Sequence, residues 1–115
     1  MHLLWWPLMN AIIDRVLAAL NAHDLESFIA CYDPEATIED GNDLVLAHGY
    51  LEIRNRYGPM FETYPALHVE PLGRWKVGSF VVQEERVTGR ATESDHHIAV
   101  YQLNNDLIVR ERLLR

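Results

Sequence analysis

The segment LAALNAHDLESFIACYDPEATIED, residues 17–40, decides the fold because it holds the end of one helix, a second short helix and the first strand. Asp24 can cap the second helix, which Asp33-Pro34 then ends. Residues 36–40 alternate apolar and polar side chains, as a half-buried strand does. Upstream, the first helix follows Pro7 and carries apolar residues at helical spacing: Leu8, Ile12, Ile13, Val16, Leu17 and Leu20. Two helices therefore precede the first strand.

Downstream of this segment, the sequence predicts one more helix, with a short strand before it and a run of strands after it. Gly49 opens the third helix, which Gly58-Pro59 must kink or interrupt and Pro65 closes. Further strands are predicted at 44–46, 67–77, 80–88, 96–103 and 107–114. The order α-α-β-β-α-β-β-β-β predicts a single α+β domain over residues 1–115, with residues 1–7 as an N-terminal lead-in and one sheet face packed on the helices.

The composition argues against several classes of partner. With 10 basic and 17 acidic residues the chain carries a formal charge of −7, which would repel nucleic acid. No apolar run approaches the ~20 residues of a membrane span, so we expect no membrane partner. Trp5 and Trp6 are expected to pack beside the first helix. Cys31 is the single cysteine, so no intramolecular disulfide is possible and a reducing, cytoplasmic location is expected.

Two further segments complete a recognisable pattern: AHGYLEIRNRY at 47–57 and HIAVYQLNNDLIVRERLL at 97–114. Together with the opening segment they resemble the nuclear transport factor 2-like superfamily, and within it the ketosteroid isomerases and the SnoaL-like polyketide cyclases. The resemblance implies a cystatin-like cone, in which three helices pack in a strongly curved mixed or antiparallel sheet whose open end is a pocket for an apolar small molecule. It also implies a homodimer through the outer sheet face, where Ile98, Val100 and Ile108 are expected.

Asp40 is the candidate catalytic base. The resemblance implies this role, because the aspartate that closes the matching stretch of the ketosteroid isomerases moves a proton between two carbons beside a ketone. A carboxylate in an apolar cavity loses most of its water and becomes basic enough for that step. The alternative is that Asp40 only caps a turn through the backbone amides of Asn42 or Asp43.

The groups that would stabilise an enolate differ from the ketosteroid isomerase pattern. On that pattern, the first-helix tyrosine falls at Val16 and the second aspartic acid falls at Ala99. Each missing donor typically costs ~10² to 10³ in rate, so a true ketosteroid isomerase is not predicted. Tyr57, His97 and Tyr101 are the candidate replacements as hydrogen-bond donors, and His97 can alternatively share proton transfer with Asp40.

Strand periodicity puts His97, Ala99 and Tyr101 on one face of their strand, and the resemblance makes that face the cavity wall. Glu111 can also look inward, or it can be a solvated residue between two arginines. Tyr57 and Tyr101 can instead be ordinary core residues, and His97 can simply bond a neighbouring strand. The predicted lining of the ligand pocket is Val16, Phe28, Tyr32, Phe61, Ala99, Tyr101 and Glu111.

These residues leave two functions open. The first is a cofactor-independent isomerase, cyclase or lyase in which Asp40 takes a proton beside the carbonyl of an apolar substrate. The carbonyl itself receives the electrons, so no cofactor is expected. The alternative is a non-catalytic module that binds an apolar ligand or dimerises. His96 and His97 point to opposite faces of a strand, so no metal site is expected.

Overall fold

The structure is a computed structural model that describes the backbone of residues 2–90 and 95–115, and the side chains from residue 11 onward within those ranges. Its helices are α1 (His2–Asn21), α2 (Leu25–Ile29) and α3 (Gly49–Thr63). Its strands are β1 (Tyr32–Asp40), β2 (Val45–His48), β3 (His68–Val77), β4 (Phe80–Thr88), β5 (Asp95–Asn104) and β6 (Leu107–Leu114). The observed order of elements is the predicted one, which confirms the α+β fold class.

The strands form one mixed sheet in the order β2-β1-β6-β5-β4-β3. Strand β1 runs parallel to β6, and every other neighbouring pair is antiparallel. Helix α3 packs on β1 and β2, helix α1 packs on β3, and α2 contacts both other helices. We call the sheet face toward the helices the inner face and the opposite one the outer face. Side chains on the inner face therefore line any cavity that lies between the sheet and the helices.

The C-terminal end of α1 is tied to β3 by two polar side chains. Asn21 donates to the carbonyl of Val69 at 3.0 Å and accepts from the amide of the same residue at 2.7 Å. His23 bonds the carbonyl of Leu67 at 2.9 Å, and its ring stacks on Phe61 with centroids 5.0 Å apart. These contacts bond backbone groups of Leu67 and Val69, just before and within the start of β3, and hold the C-terminal end of α1 against them.

The turn after β4 depends on Gly89, whose φ of +79° lies in the left-handed region. A Cβ atom at this position would lie 1.9 Å from the carbonyl oxygen of Ala66, so the approach of the two backbones requires glycine. The next residue, Arg90, is therefore held beside the start of β3, from where it lines the central cavity.

Helix α1 is longer than predicted. It begins at His2 and continues through Pro7, so residues 2–7 are helical and do not form a separate lead-in. Leu3 and Leu4 favour the helix, and Pro7 removes only one backbone donor from it. The side chains of Trp5-Trp6 lie outside the described residues, and their packing stays a prediction. Within the described part of the chain, no helix is long and apolar enough to cross a membrane.

Two further boundaries differ because tertiary contacts override local preference. Tyr32, predicted to end α2, begins β1 instead, since it pairs with Ile108 of β6. Helix α3 continues through Pro59, so this proline does not interrupt the helix, and the alternative of a kink stays a prediction. Tyr57 and Phe61 lie on either side of that proline and are both buried in the core, so packing stabilises the helix across it.

An irregularity in the β5–β6 pairing decides which residues of β6 face inward. The register shift leaves Val109 without a partner on β5, as in a β-bulge. Ile108 and Glu111 are therefore both buried, although they lie three residues apart. The prediction of Ile108 on the outer face is wrong for this reason, whereas Ile98 is 40% exposed on that face as predicted.

Candidate functional site

A cavity of about 50 Å³ that opens to the surface lies between the inner sheet face and the helices. Its apolar lining includes Val16, Leu17, Leu20, Phe28, Met60 and Leu67. Its uncharged and acidic polar lining consists of Tyr32, Tyr57, Glu85, His97, Tyr101 and Glu111. Arg56, Arg90 and Arg115 complete the wall. A largely apolar space with a few converging polar groups is typical of a small-molecule site.

Glu85 is the centre of a buried hydrogen-bond network in this cavity. Its Oε1 accepts from Nε2 of His97 at 2.9 Å. Its Oε2 accepts from the hydroxyl of Tyr101 at 2.8 Å and from the side-chain amide of Gln83 at 2.7 Å. The amide oxygen of Gln83 in turn accepts from Arg74 at 2.7 Å. Three donors converge on one carboxyl group, which is the arrangement that an ionised, acceptor-only carboxylate requires.

His97 lies directly opposite Glu85 in the β4–β5 ladder, and its side chain is 6% exposed. Because its Nε2 donates to the Glu85 carboxylate, the hydrogen-bond pattern assigns the proton of the neutral ring to Nε2. The other nitrogen, Nδ1, is buried and has no hydrogen-bond partner among the described residues. In that tautomer Nδ1 carries a free lone pair, so the ring is oriented as a proton acceptor.

A second acidic group, Glu111, lies in the same cavity. The hydroxyl of Tyr32 donates to its Oε1 at 2.6 Å. Burial raises the pKa of the Glu111 carboxyl to about 8, and the negative charge of Glu85 acts in the same direction. The hydrogen bond from Tyr32 and the positive charge of Arg56 lower that pKa without offsetting burial. Near neutral pH the protonated form of Glu111 therefore predominates, and it can donate a hydrogen bond.

The three tyrosines of the cavity remain protonated donors. Burial raises the pKa of Tyr32, Tyr57 and Tyr101, and the charge of Glu111 or Glu85 raises each pKa further. Tyr32 and Tyr101 already donate to these carboxyl groups. Among the described residues, Tyr57 is the cavity tyrosine whose hydroxyl no carboxyl group accepts.

Asp40 lies at the edge of the site. Its Oδ1 accepts from the backbone amides of Asn42 at 2.8 Å and Leu44 at 3.0 Å, so its side chain caps the β1–β2 turn. Asp40 does not line the cavity. It lines a separate, open surface depression, the outer groove, which shares Arg56 and Arg115 with the cavity wall. The turn-capping alternative is thus the one that the geometry matches, because the backbone amides of the turn occupy this carboxylate.

Most of the predicted pocket residues meet in the cavity. Val16, Phe28, Tyr32, Tyr57, His97, Tyr101 and Glu111 all line it. Two predictions are wrong in part, because Phe61 and Ala99 are buried without lining the cavity. Phe61 instead packs edge-on against Phe28 in the core, and Ala99 is fully buried. Glu111 is 5% exposed, which excludes the solvated alternative.

Sequence reasoning missed Glu85, Gln83 and the arginines of the wall. The inner face of β4 carries two polar residues, Gln83 and Glu85, between Val81 and Val87. A period of two was visible in this strand, but its outer face begins with the apolar Phe80 and Val82, so alternation alone did not identify the inner face. The pairing of β4 with its neighbouring strands, and not its own sequence pattern, decides which of its faces points to the cavity.

The neighbouring histidine, His96, faces away from the cavity. Its Nε2 bonds Glu84 at 2.7 Å on the outer face, so the two adjacent histidines point apart as predicted. Within the described residues, no three His, Cys, Asp or Glu side chains come together in a way that could hold a metal ion.

Comparisons with known proteins identify the family and the fold of the chain. A family model described as "SnoaL-like domain" matches residues 13–111. A search of curated proteins gives no match.

Solved structures match over nearly the whole chain. An uncharacterised cystatin-fold protein from Novosphingobium aromaticivorans has a TM-score of 0.86 at 25% identity, covering 93% of this chain and 97% of that chain. A candidate polyketide cyclase from Sinorhizobium meliloti has a TM-score of 0.80 at 17% identity, covering 90% and 93%. A protein from Catenulispora acidiphila with a ketosteroid isomerase-like fold, in complex with trimethylamine, has a TM-score of 0.73 at 14% identity, covering 89% and 82%. These likenesses confirm the predicted cystatin-like fold.

Proposed function

Because the chain belongs to the SnoaL-like domain family, we propose that it is an isomerase- or cyclase-type enzyme that transfers a proton on an apolar small molecule bound in the cavity. The observation that carries this proposal is the buried His97–Glu85 pair with an unpartnered Nδ1. A general base must have a free lone pair facing the reacting group and a partner that holds its ring in place. His97 has both features, with Glu85 as the partner.

The proposed reaction needs no group from outside the chain. Nδ1 of His97 takes a proton from a carbon beside a carbonyl, and the electron pair of that C–H bond moves to the carbonyl oxygen as an enolate. Tyr57, or the protonated Glu111, donates a hydrogen bond to that oxygen. In an isomerisation of a β,γ-unsaturated ketone, the proton returns from His97 to the γ-carbon of the dienolate as the double bond moves into conjugation. In a cyclisation, the enolate carbon attacks a second carbonyl carbon. The first outcome regenerates the neutral histidine directly, and in the second the new alkoxide takes the proton.

Asp40 becomes the weaker candidate for the base. Its Oδ1 is held by two backbone amides of the turn, and it lines the outer groove. Both features support a structural role at the rim of the site. His97 is the catalytic residue in this proposal, Glu85 positions it, and Tyr57 and Glu111 are the oxygen donors.

The proposal is tested by solvent deuterium exchange. The α-protons of 1-tetralone and 2-decalone are followed by NMR in D₂O with native protein, with His97→Gln and with the control His96→Gln. We expect exchange above the buffer rate with native protein, a loss of ~10² or more in His97→Gln, and no change in His96→Gln. Equal rates for native protein and His97→Gln would contradict the proposal. Ligand binding without any exchange would instead favour the non-catalytic binding module.

We also propose that the chain forms a homodimer through the outer sheet face and that it works in the cytoplasm. Trp75, Val77 and Phe80 are 55%, 69% and 41% exposed there, which is more apolar surface than isolated residues account for. The buried thiol of Cys31 fits a reducing compartment. Sedimentation at micromolar concentration tests the assembly: native protein should be a dimer and Trp75→Glu a monomer, and a monomeric native protein would contradict it.

A further inference from the structure

Three guanidinium groups surround the place where the cavity meets the outer groove. Arg56 and Arg115 line both spaces, and Arg90 lines the cavity. We call this place the mouth. Burial lowers the pKa of the Arg90 guanidinium, and the positive charges of Arg115 and Arg56 lower it further. The three cations therefore lie close enough together to repel one another.

The described acidic residues compensate this charge only in part. Asp95 pairs with both Arg90 and Arg115 through the same oxygen, Oδ2. Asp40 lines the outer groove beside Arg56 and Arg115, with its Oδ1 engaged by the turn. Counted over these described residues, three positive charges face two negative ones. One uncompensated positive charge remains, which is the complement of a monoanion.

Arg56 has one donor without a partner, although its side chain also hydrogen-bonds Tyr57. Its Nε is buried and makes no hydrogen bond with any described residue. A buried donor without an acceptor costs free energy that an incoming acceptor recovers. The planar guanidinium presents its donors in a fork that matches a carboxylate group. The lining behind the mouth is largely apolar and includes the Glu85 carboxylate, so it offers no comparable site for an anion.

We infer that the ligand of this cavity carries a carboxylate group, which binds Arg56 at the mouth with Arg90 and Arg115 beside it, while its apolar body fills the cavity. This inference rests on the ligand-binding part of the proposed function and names the chemical class of the ligand. It also fixes the orientation of the ligand, because the Glu85 carboxylate inside the cavity repels the carboxylate of the ligand.

Isothermal titration calorimetry with a matched pair of ligands tests the inference. The pair is 2-naphthoate and 2-naphthamide, which share one apolar body and differ in charge. Native protein should bind the naphthoate about tenfold or more tightly than the naphthamide, as expected for charge-assisted hydrogen bonds. Arg56→Gln should lose about tenfold in naphthoate affinity and leave naphthamide affinity within twofold. Arg115→Gln, which changes a half-exposed side chain, should lose less affinity, and only for the naphthoate.

The control variant is Arg86→Gln, because Arg86 pairs with Glu70 on the surface away from the cavity. It should bind both ligands as native protein does. Equal affinity of native protein for both ligands, binding of neither at millimolar concentration, or an equal loss for both ligands in Arg56→Gln would overturn the inference. Selective naphthoate binding without deuterium exchange on any ketone would leave the inference standing and remove the proposed chemistry. Deuterium exchange on ketones without a preference for the naphthoate would support the proposed chemistry and overturn the inference about the carboxylate.

Discussion

Strands β4 and β5 carry two His–Glu pairs of the same composition on opposite faces of the sheet. On the inner face, His97 bonds Glu85 at 2.9 Å, and the two side chains are 6% and 4% exposed. On the outer face, His96 bonds Glu84 at 2.7 Å, and the side chains are 58% and 36% exposed. The residue types and the distances are nearly the same, so solvent is the main difference between the pairs.

The comparison teaches that the surroundings, and not the pair itself, create a candidate active site. An exposed ion pair typically contributes 0 to about 1 kcal/mol, because water competes for both groups. A buried pair must satisfy all of its polar atoms, and Glu85 does so with three donors. The one atom left over is Nδ1 of His97. On the inner face Glu85 alone holds the His97 ring, through Nε2. The lone pair on Nδ1 therefore stays free to accept a proton.

The largest expected effect is the loss of stability when Glu85, at the centre of the buried network, is replaced. Glu85→Ala leaves the donors of His97, Tyr101 and Gln83 without their acceptor inside the protein, so we expect a loss of about 3 to 5 kcal/mol in the free energy of unfolding. Glu84→Ala on the outer face should change it by less than about 0.5 kcal/mol. Urea denaturation followed by circular dichroism measures both values. If Glu85→Ala lowered the free energy of unfolding by less than about 1 kcal/mol, the buried and the exposed pair would not differ in the way proposed.

The second effect concerns the other acid on the inner face. The pKa of Glu111 in the folded chain, about 8, lies above its ordinary value of 4.5, so the folded state holds the extra proton and its stability falls as pH rises between those values. Glu111→Gln removes this dependence while keeping an acceptor for Tyr32. We expect equal stability of variant and native protein at pH 5, and a variant more stable by up to about 4 kcal/mol at pH 9.

Urea denaturation at the two pH values measures this difference directly. The contribution of every other titrating group cancels when the variant is compared with native protein at the same pH. A stability difference that is the same at pH 5 and pH 9 would show that Glu111 is ionised across the whole range.

The smallest effect on activity and stability is expected for Asp40. Its carboxylate lies in the outer groove near the mouth and caps a turn, unlike those of Glu85 and Glu111. In Asp40→Asn the side-chain oxygen can still accept from the amides of Asn42 and Leu44, so the turn persists. We expect deuterium exchange within about threefold of native protein and a stability change below about 1 kcal/mol. A loss of exchange as large as that expected for His97→Gln would return the role of base to Asp40.

The sequence predicts the fold well because its signals are local and ordered. Apolar spacing in α1, the Asp24 cap and the breaks at the turns set the order of the elements, and the family resemblance sets their arrangement. His97 and Tyr101 were found because strand alternation and the resemblance agree on their face. The same reasoning placed Ile108 on the wrong face, since a bulge at Val109 is a property of the pairing and leaves no mark in the strand itself.

The chemistry of the site is less predictable for a related reason. Glu85 follows Glu84, and nothing in either residue says which one will be buried. Only the ladder, with Glu85 opposite His97, decides it. Asp40 looked like an inward carboxylate because it ends an apolar strand, but the tight turn that follows brings two backbone amides onto its oxygen. Such contacts depend on the path of the backbone over several residues.

The central claim is that Glu85 holds His97 with a proton on Nε2 and a bare Nδ1. Long-range ¹H–¹⁵N correlation spectra of the imidazole rings at pH 8, assigned with His97→Gln and His96→Gln, test it most directly. We predict that His97 shows a protonated Nε2 and an unprotonated Nδ1, while exposed His96 shows shifts averaged between its tautomers. A His97 ring that carries its proton on Nδ1, or that averages as His96 does, would contradict the account.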